Sequence, residues 1–312
     1  MASIYKNNVN DVEIILVDND SKDEIEMELK RYYPNTVFLQ MGYNAGFARA
    51  NNAGIRIAKG ELILLLNSDT VNLNDAVNKC CFFLEKSPYL AAGVQLLNED
   101  MTPQISGNFA MKGGLNYLLP LPFVGNLLKF VAMSFNVKKP SIENAETTIE
   151  VDWINGAFLM IKKEVIKKTE LLDEDFFLYA EEAEWCSRIK KNGRLCIFGQ
   201  LNVIHLQGES ANTAFNSEGK GYFNLYDKKG LQIMLSNFVR IRKQFGLFWF
   251  LFDFLIYLIS VPVFFVGTIL QQILMQQKYQ FIHVKGFTKN IFQLLKFIPR
   301  IILNKPFFYK AL

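Results

Sequence analysis

The sequence predicts an α/β domain followed by a membrane-associated helical region, and three observations support this. Between residues 12 and 97, short apolar runs alternate with helix-like stretches at the spacing of β-α-β units. Polar residues follow the first and third of these runs, where an open α/β sheet binds ligands. A long apolar stretch comes much later in the chain. With 312 residues, 50% of them apolar, the chain can bury a sizeable core, which excludes a disordered polymer.

The elements of the first region follow one another in a regular order. Apolar runs predict strands at VEIILV, TVFLQ, ELILLL and LAAGVQLL, with a helix in each interval, which is typical of a parallel sheet with helices on its faces. Residues 98–148 lose this alternation and predict a variable, partly helical insertion. A strand-turn-strand is expected in EVDWINGAFLMIKKEVI, then a helix from Glu181 to Asn192, then a pair of strands around LCIFG and NVIHL.

The C-terminal region has the composition of a membrane-binding segment. Residues 240–312 hold ten Lys or Arg against one acid, and these basic residues flank apolar runs, which favours an anionic membrane over a nucleic acid as partner. The stretch from Phe245 to Leu274 is long enough to cross a bilayer, with Asp253 its only charge and Pro262 near its middle. Both flanks are basic, so we expect both ends on the cytoplasmic side and a kinked re-entrant or hairpin segment at Pro262. The alternative is a buried helix of a soluble domain.

The last 32 residues mix Phe, Ile and Leu with Lys and Arg at helix-like intervals, as in a helix that lies in the membrane interface. The predicted organisation is therefore an α/β domain over residues 1–215, a linker or helix over 216–243, and a membrane-associated tail over 244–312.

Two candidate metal ligands follow predicted strands. Asp69 ends the triplet Asn67-Ser68-Asp69, and a carboxylate at a strand end can hold a hard divalent cation that neutralises a diphosphate. The same three residue types are also ordinary turn formers. His205, in VIHLQGES, can complete a metal site through an imidazole nitrogen or can be a hydrogen-bonded core histidine.

Two further segments carry possible chemistry. Glu181 and Glu182 follow the aromatic run FFLY, and a carboxylate against apolar surface can remove a proton from a hydroxyl, although acids also favour the start of a helix. The junction GYNAGFARANN contains small residues that allow the backbone to approach a phosphate or sugar closely. It matches neither the dinucleotide-binding nor the P-loop pattern.

Taken in order, these segments resemble one family. VEIILVDNDSKD, GYNAGFARANNAGI, GELILLLNSDT, VDWINGAFLMIKKEV, LDEDFFLYAEEAEWCSRIKKNG and VIHLQGES together resemble the family 2 glycosyltransferases of the GT-A fold. Within that family the similarity is greatest to the rhamnosyltransferase-like branch that builds surface polysaccharide. The resemblance covers residues 3–215. It implies a mixed sheet with helices on both faces and an inverting transfer of a sugar from a nucleotide-diphosphate donor to a hydroxyl.

The resemblance also implies roles for individual residues. Glu182 corresponds to the general base, with Glu181 beside it as a second catalytic candidate. Asp69 and His205 correspond to ligands of a Mg²⁺ or Mn²⁺ ion near the diphosphate. Trp153 and Gly156 resemble the acceptor-side segment. The donor-binding positions are Asp18, Asn44, Gly46, Phe47, Asn51, Asn67 and Asp69. The expected partners are a nucleotide-diphosphate sugar, a lipid-linked or polysaccharide acceptor and the cytoplasmic side of the inner membrane, with no nucleic acid.

Two departures from the family pattern give rise to alternatives. The family has Glu-Asp where this chain has Glu181-Glu182, and an added methylene moves the carboxylate by about an ångström, enough to cost rate. The family also begins with a strand and a helix, whereas MASIYKNN resembles only the end of that helix. The alternative function is therefore a non-catalytic, membrane-attached remnant that acts as a binding protein. A nucleotidyltransferase would need a Gly-rich, basic phosphate loop, and none is seen in the sequence.

Overall fold

The computed structural model describes residues 1–6, 12–21, 23–135, 137, 140–206, 215, 217, 224–274 and 278–311. The chain forms two compact units. Unit 1 consists of Met1–Phe109, Ser141–Phe177 and Glu181–Gln207, and unit 2 consists of Ala110–Pro140, Leu178–Ala180 and Gly208–Leu312. Part of the predicted insertion, residues 110–140, thus groups with the C-terminal region.

Unit 1 contains strands and helices in the predicted alternation. Its helices are α1 (Ala2–Tyr5), α2 (Ile25–Tyr32), α3 (Gly46–Ile57), α4 (Ala76–Glu85), α6 (Lys163–Thr169) and α7 (Glu181–Lys190), where α5 belongs to unit 2. Its strands are β1 (Ile15–Asp18), β2 (Val37–Gln40), β3 (Leu62–Leu66), β4 (Thr70–Asn72), β5 (Ala91–Leu97), β6 (Gly107–Asn108), β7 (Ser141–Ile142), β8 (Thr148–Val151), β9 (Trp153–Ile154), β10 (Phe158–Lys162) and β11 (Leu195–His205).

The strands of unit 1 form three sheets. The largest has the order β3-β10-β5-β11-β4, with β8 also paired to β11. Because β10 enters between β3 and β5 and runs antiparallel to both, only β5 and β11 are parallel in this sheet. Strands β1 and β2 form a separate parallel pair, and β7-β6-β9 form a small antiparallel sheet. The sheet is therefore mixed, which confirms the fold that the resemblance implies. The single parallel sheet expected from residues 12–97 alone does not form, because β10 enters between β3 and β5 and β1-β2 form a separate pair.

Both faces of the large sheet are covered by helices. Along β3, Ile63 and Leu65 join one buried cluster, and the alternate residues Leu62, Leu64 and Leu66 pack against the other. The first cluster includes residues of α3, α6 and α7, and the second includes residues of α4. This alternation follows from the period of two of a β-strand.

The last strand of unit 1 differs from the prediction. Residues 195–205 form one strand and not two. Its first part pairs with β8 and its last part with β4, and its register against β5 shifts between Phe198 and Asn202. A β-bulge of this kind lets one strand change partners along its length, which explains why the intervening Gly and Gln were read as a break.

Unit 2 is helical. It contains a short 3₁₀ segment (Lys112–Leu118) and the helices α5 (Val124–Ser134), α8 (Lys228–Phe245), α9 (Leu247–Ile273), α10 (Phe281–Leu294) and α11 (Ile298–Leu303). Helix α9 is the one helix among the described residues that is long and apolar enough to cross a membrane. It continues through Pro262, so the expected hairpin at that residue does not form. The aromatic ring of Phe238 packs against those of Phe250, Phe254 and Tyr257, which joins α8 to α9.

Candidate active site

A loop after β2 is fixed by side chains that follow β1. The Oδ1 atom of Asn19 accepts a hydrogen bond from the backbone N–H of Ala45 at 2.8 Å, and its Nδ2 donates to Asn44 Oδ1 at 3.3 Å. The Asn44 side chain also accepts from the N–H of Gly46 at 3.1 Å. The predicted donor-binding residues 44 and 46 are thus held in one hydrogen-bonded turn with Asn19. Asn19 is one of the polar residues that follow the first predicted strand, and the family resemblance had assigned it no individual role.

Gly46 is required by the backbone at this turn. Its φ is +77°, and a Cβ atom there would lie 2.1 Å from the carbonyl oxygen of Phe177. The same carbonyl accepts from the N–H of Phe47 at 2.8 Å. The start of α3 is therefore anchored to the segment that precedes α7.

The other donor-side residues make local contacts. Asp18 is buried, and its carboxylate accepts from the N–H of Ser21 at 2.9 Å and from Gln40 Nε2 at 3.3 Å. Asn51 donates to the carbonyl of Phe47 at 2.9 Å. The fully buried Asn52, not predicted as functional, donates to Leu172 O and accepts from Leu172 N–H.

Asp69 and His205 are neighbours because of strand register. Residues 67–69 form the turn between β3 and β4, and β4 pairs with β11 so that Thr70 lies opposite His205. The N–H of Leu206 donates to the carbonyl of Asp69 at 3.0 Å. This register brings His205 Nε2 to 3.5 Å from Asp69 Oδ1 and 3.4 Å from Asn67 Nδ2. Three predicted residues therefore meet in one place.

Gln104 determines which imidazole nitrogen carries the proton. Its Nε2 donates to His205 O at 2.6 Å, to Asn98 Oδ1 at 2.8 Å and to Leu97 O at 3.2 Å, so its Oε1 faces His205 Nδ1 at 3.1 Å. An acceptor at that position requires a proton on Nδ1, and in the neutral imidazole the lone pair is then on Nε2, which faces Asp69. Gln104 lies in the region without a sequence pattern, and no sequence signal could have identified it.

The donor set at Asp69 and His205 fits a divalent cation. The imidazole nitrogen and the carboxylate oxygen, 3.5 Å apart, are both groups that can bind a divalent cation. Among the described residues, no group of three or more His, Cys, Asp or Glu side chains suits a metal ion. Two protein ligands leave the remaining coordination positions to oxygens of water or of a substrate diphosphate.

Gly156 joins the donor side to the predicted base. A Cβ atom at Gly156 would lie 3.3 Å from Phe47 Cζ and 3.4 Å from Glu182 Cγ. The next residue, Ala157, accepts through its carbonyl from the N–H of Asn67 at 3.1 Å. A continuous path of contacts therefore leads from His205 and Asn67 through residues 156 and 157 to Glu182.

The acids at the start of α7 differ in environment. Glu181 is buried, whereas Glu182 is partly exposed and reachable by an incoming hydroxyl. Glu184 is buried and forms an ion pair with Arg188, with Oε2 2.7 Å from Nη2, which gives it a structural role. Of the two predicted catalytic acids, Glu182 is the one placed beside Phe47 and Gly156.

Trp153 lies in the small antiparallel sheet, directly opposite Asn108. Its Nε1 and the Oδ1 of Asn108 are buried atoms that have no hydrogen-bond partner among the described residues. One is a donor and the other an acceptor, so each has hydrogen-bonding capacity that the described residues leave unused. The acceptor-side role of Trp153 stays a prediction.

Comparison with known proteins gives consistent matches. The family described as "Glycosyl transferase family 2" matches residues 1–165. The low-salt glycan biosynthesis hexosyltransferase Agl10 of Haloferax volcanii is 25% identical over 197 residues, 62% of this chain and 57% of that protein. The rhamnosyltransferase WbbL of Escherichia coli K12 is 22% identical over 207 residues, 64% of this chain and 75% of that protein. The chain thus spans less than two thirds of the length of the archaeal relative.

Among solved structures, the mannosyltransferase PcManGT from Pyrobaculum calidifontis, in complex with GDP-Man and Mn²⁺, is similar over 90% of this chain and 77% of its own. The TM-score is 0.46 and the sequence identity is 13%.

Proposed function

Because the chain belongs to glycosyltransferase family 2, we propose that it transfers a hexose from a nucleotide-diphosphate donor to a hydroxyl of a lipid-linked glycan during surface polysaccharide synthesis. The GT-A fold predicted for it is the mixed sheet with helices on both faces seen in unit 1. The observation that carries the proposal is the path of contacts between the pair Asp69–His205 and Glu182. Asp69 and His205 would hold the cation that neutralises the departing diphosphate, and Glu182 would accept the proton of the acceptor hydroxyl.

The donor end of the proposed reaction lies at Asp69 and His205. These side chains would hold a Mg²⁺ or Mn²⁺ ion, and such an ion supplies positive charge that stabilises a departing nucleoside diphosphate. Asn67 Nδ2, 3.4 Å from the imidazole, is a further donor available to a phosphate oxygen. The turn around Gly46 lets the backbone approach the donor sugar or phosphate closely.

The acceptor end lies at Glu182. Its carboxylate would remove the proton of the acceptor hydroxyl, whose oxygen attacks the anomeric carbon while the bond to the diphosphate breaks. A single displacement of this kind inverts the anomeric centre. Trp153 and Gly156 border the acceptor, and Phe47 separates donor and acceptor sides near the base.

The exposed apolar surface of unit 2 supports the proposed membrane association, and with it a lipid-linked acceptor, which we place at the cytoplasmic face of the inner membrane. Helix α9 has many exposed apolar side chains, and only a third of its most apolar 18-residue segment is buried. A surface groove of about 440 Å³ beside it is lined by Phe265, Phe281, Val284, Thr288 and Phe292, with Lys285 and Lys289. Apolar surface with adjacent lysines suits acyl chains and anionic headgroups.

The proposal is tested by measuring release of nucleoside diphosphate. The full chain in membranes is incubated with a panel of nucleotide sugars and Mn²⁺, alongside Asp69→Ala, Glu182→Ala and the control Glu99→Ala, an exposed acid in a turn. We expect the wild type to release nucleoside diphosphate from one of the nucleotide sugars. The rate of release should fall by roughly a hundred-fold or more in Asp69→Ala and Glu182→Ala and should be unchanged in Glu99→Ala. Equal release by the wild type and both site variants contradicts the mechanism. Tight donor binding without release would support the non-catalytic alternative.

A further inference from the structure

Helix α5 is an apolar helix that unit 2 leaves largely uncovered. Val124–Ser134 contains one charged residue, Lys129. Phe130 and Met133 are 68% and 75% exposed, and Leu127 and the following Phe135 are exposed as well. A contiguous apolar surface of this kind is unfavourable in water and marks a site of interaction.

The beginning of α5 is fixed to α9. The ring of Phe123, directly before α5, packs over Gly267, where an added Cβ would lie 2.6 Å from the ring. The same ring contacts those of Phe264 and Tyr279. The exposed part of α5 therefore projects from a rigid aromatic junction on the helix proposed to enter the membrane.

The surface of α9 at that junction is apolar too. Phe265 and Val266, next to Gly267, are both exposed. Uncovered apolar side chains of α5 and of α9 therefore extend from the same junction.

Charge distinguishes between two possible partners. Residues 110–140 contain four Lys and no Asp or Glu. A second copy of the chain would bring the same positive charge against itself, whereas an anionic lipid surface is complementary to it. With 11 residues, α5 is about 16 Å long, too short to cross a bilayer of about 30 Å but suited to the interface.

We infer that α5 is a second membrane-inserting element, which places its apolar side chains among the acyl chains of an anionic bilayer beside α9. This rests on the proposed membrane association of unit 2. It gives the region between residues 110 and 140, which the proposed mechanism does not use, a function in attachment.

Insertion is measured with fluorophores placed at single cysteines. Environment-sensitive probes are attached at Phe130→Cys (α5), Phe265→Cys (α9) and Lys30→Cys (exposed on α2) in the full chain, with the partly exposed Cys81 replaced by Ser. The vesicles contain phosphatidylglycerol and carry nitroxides on their acyl chains. We expect quenching at positions 130 and 265 and none at position 30.

The other outcomes separate the two proposals. Quenching at 265 but not at 130 overturns the insertion of α5 and leaves membrane association intact. The absence of quenching at both positions overturns both. Quenching of the position-130 probe by a nitroxide-labelled second copy in lipid-free detergent overturns the assignment in favour of self-association.

A matched pair of variants measures the contribution of α5 to binding. Phe130→Asp is expected to weaken partitioning into anionic vesicles by roughly ten-fold, because transfer of one aromatic side chain from water into the acyl region changes the partition coefficient by about that factor. Phe82→Asp, a comparably exposed phenylalanine of α4 in unit 1, is expected to leave partitioning unchanged. Equal effects of the two substitutions would overturn the inference.

Discussion

The imidazole of His205 directs Nε2 at Asp69, with 3.5 Å between that nitrogen and Oδ1, while its Nδ1 lies 3.1 Å from Gln104. One buried amide thus orients the ring of a histidine that faces a carboxylate and selects the tautomer of its neutral form. The arrangement makes the lone pair of Nε2 available on the side where a cation and a diphosphate are proposed to bind.

Gln104→Leu is predicted to raise the Mn²⁺ concentration needed for half-maximal activity by roughly ten- to a hundred-fold, because the imidazole loses the group that orients it. Gln104→Glu keeps an oxygen opposite Nδ1 but loses the three N–H donations, so it should lower thermal stability and change the Mn²⁺ requirement much less. Titration of activity with Mn²⁺ and thermal unfolding of both variants check this. An equal rise in the Mn²⁺ requirement would assign Gln104 a purely structural role.

Gly156→Ala is predicted to reduce kcat by roughly ten-fold or more with little change in folding. The new methyl group would contact Phe47 and Glu182 at 3.3 and 3.4 Å, tight enough to displace the proposed base by a fraction of an ångström. Initial rates are compared with those of Gly60→Ala, which alters an exposed loop. If Gly156→Ala reacts at the wild-type rate, the contact between residue 156 and Glu182 does not determine the position of the proposed base.

Asp253→Leu is predicted to stabilise unit 2 by about 1–3 kcal/mol. Asp253 is fully buried in α9, and neither of its carboxylate oxygens has a hydrogen-bond partner among the described residues. In contrast, Asp227 caps the N-terminus of α8 by accepting from the N–H of Gly230 at 2.8 Å, and Asp227→Ala should destabilise by about 0.5–2 kcal/mol. Thermal unfolding in detergent measures both. A lower unfolding temperature for Asp253→Leu would mean that the carboxylate has a partner that the fold requires.

Glu174 is predicted to make stability depend on pH in the acidic range. Burial raises the pKa of its carboxyl group, but hydrogen bonds from Arg56 and Asn52 outweigh this and hold the pKa below its ordinary value. A group with a lowered pKa in the folded state contributes stability above its unfolded pKa, about 4.3, and loses it as the pH falls further. Unfolding by urea at pH 7 and pH 3 should show Glu174→Gln less stable than wild type at pH 7 and nearly equal to it at pH 3. A constant difference across this range would contradict the assignment.

Much of unit 1 could be predicted because its residues repeat with a clear period. Apolar runs at β3 and β5 and the acidic start of α7 at Glu181 all lie where the pattern placed them. The direction of β10 could not be predicted, because periodicity indicates that a segment is a strand and not which neighbours it pairs with. Pro262 was read as a hairpin, yet the helix accommodates it, since a proline removes only one hydrogen bond from a long helix.

The site was predictable only in part for a related reason. Asp69 and His205 stand at strand ends in recognisable segments, so their residue types and positions were informative. Gln104 and Asn52 act through contacts with distant backbone, and nothing in their immediate sequence distinguishes them from ordinary polar residues.

The two differently paired halves of β11 have a consequence for how the chain tolerates changes of length. Successive side chains of a strand point to opposite faces, so inserting one residue just before His205 would turn the imidazole away from Asp69, and inserting two would restore its direction. Residues 199–201 have no partner in β5, although the N–H of Gly199 donates to Thr147, so we expect extra residues to be accommodated at 200 and 201 without shifting either half. Viable homologues should therefore carry insertions or deletions at that interval. Just before His205, insertions should be tolerated only when they contain an even number of residues.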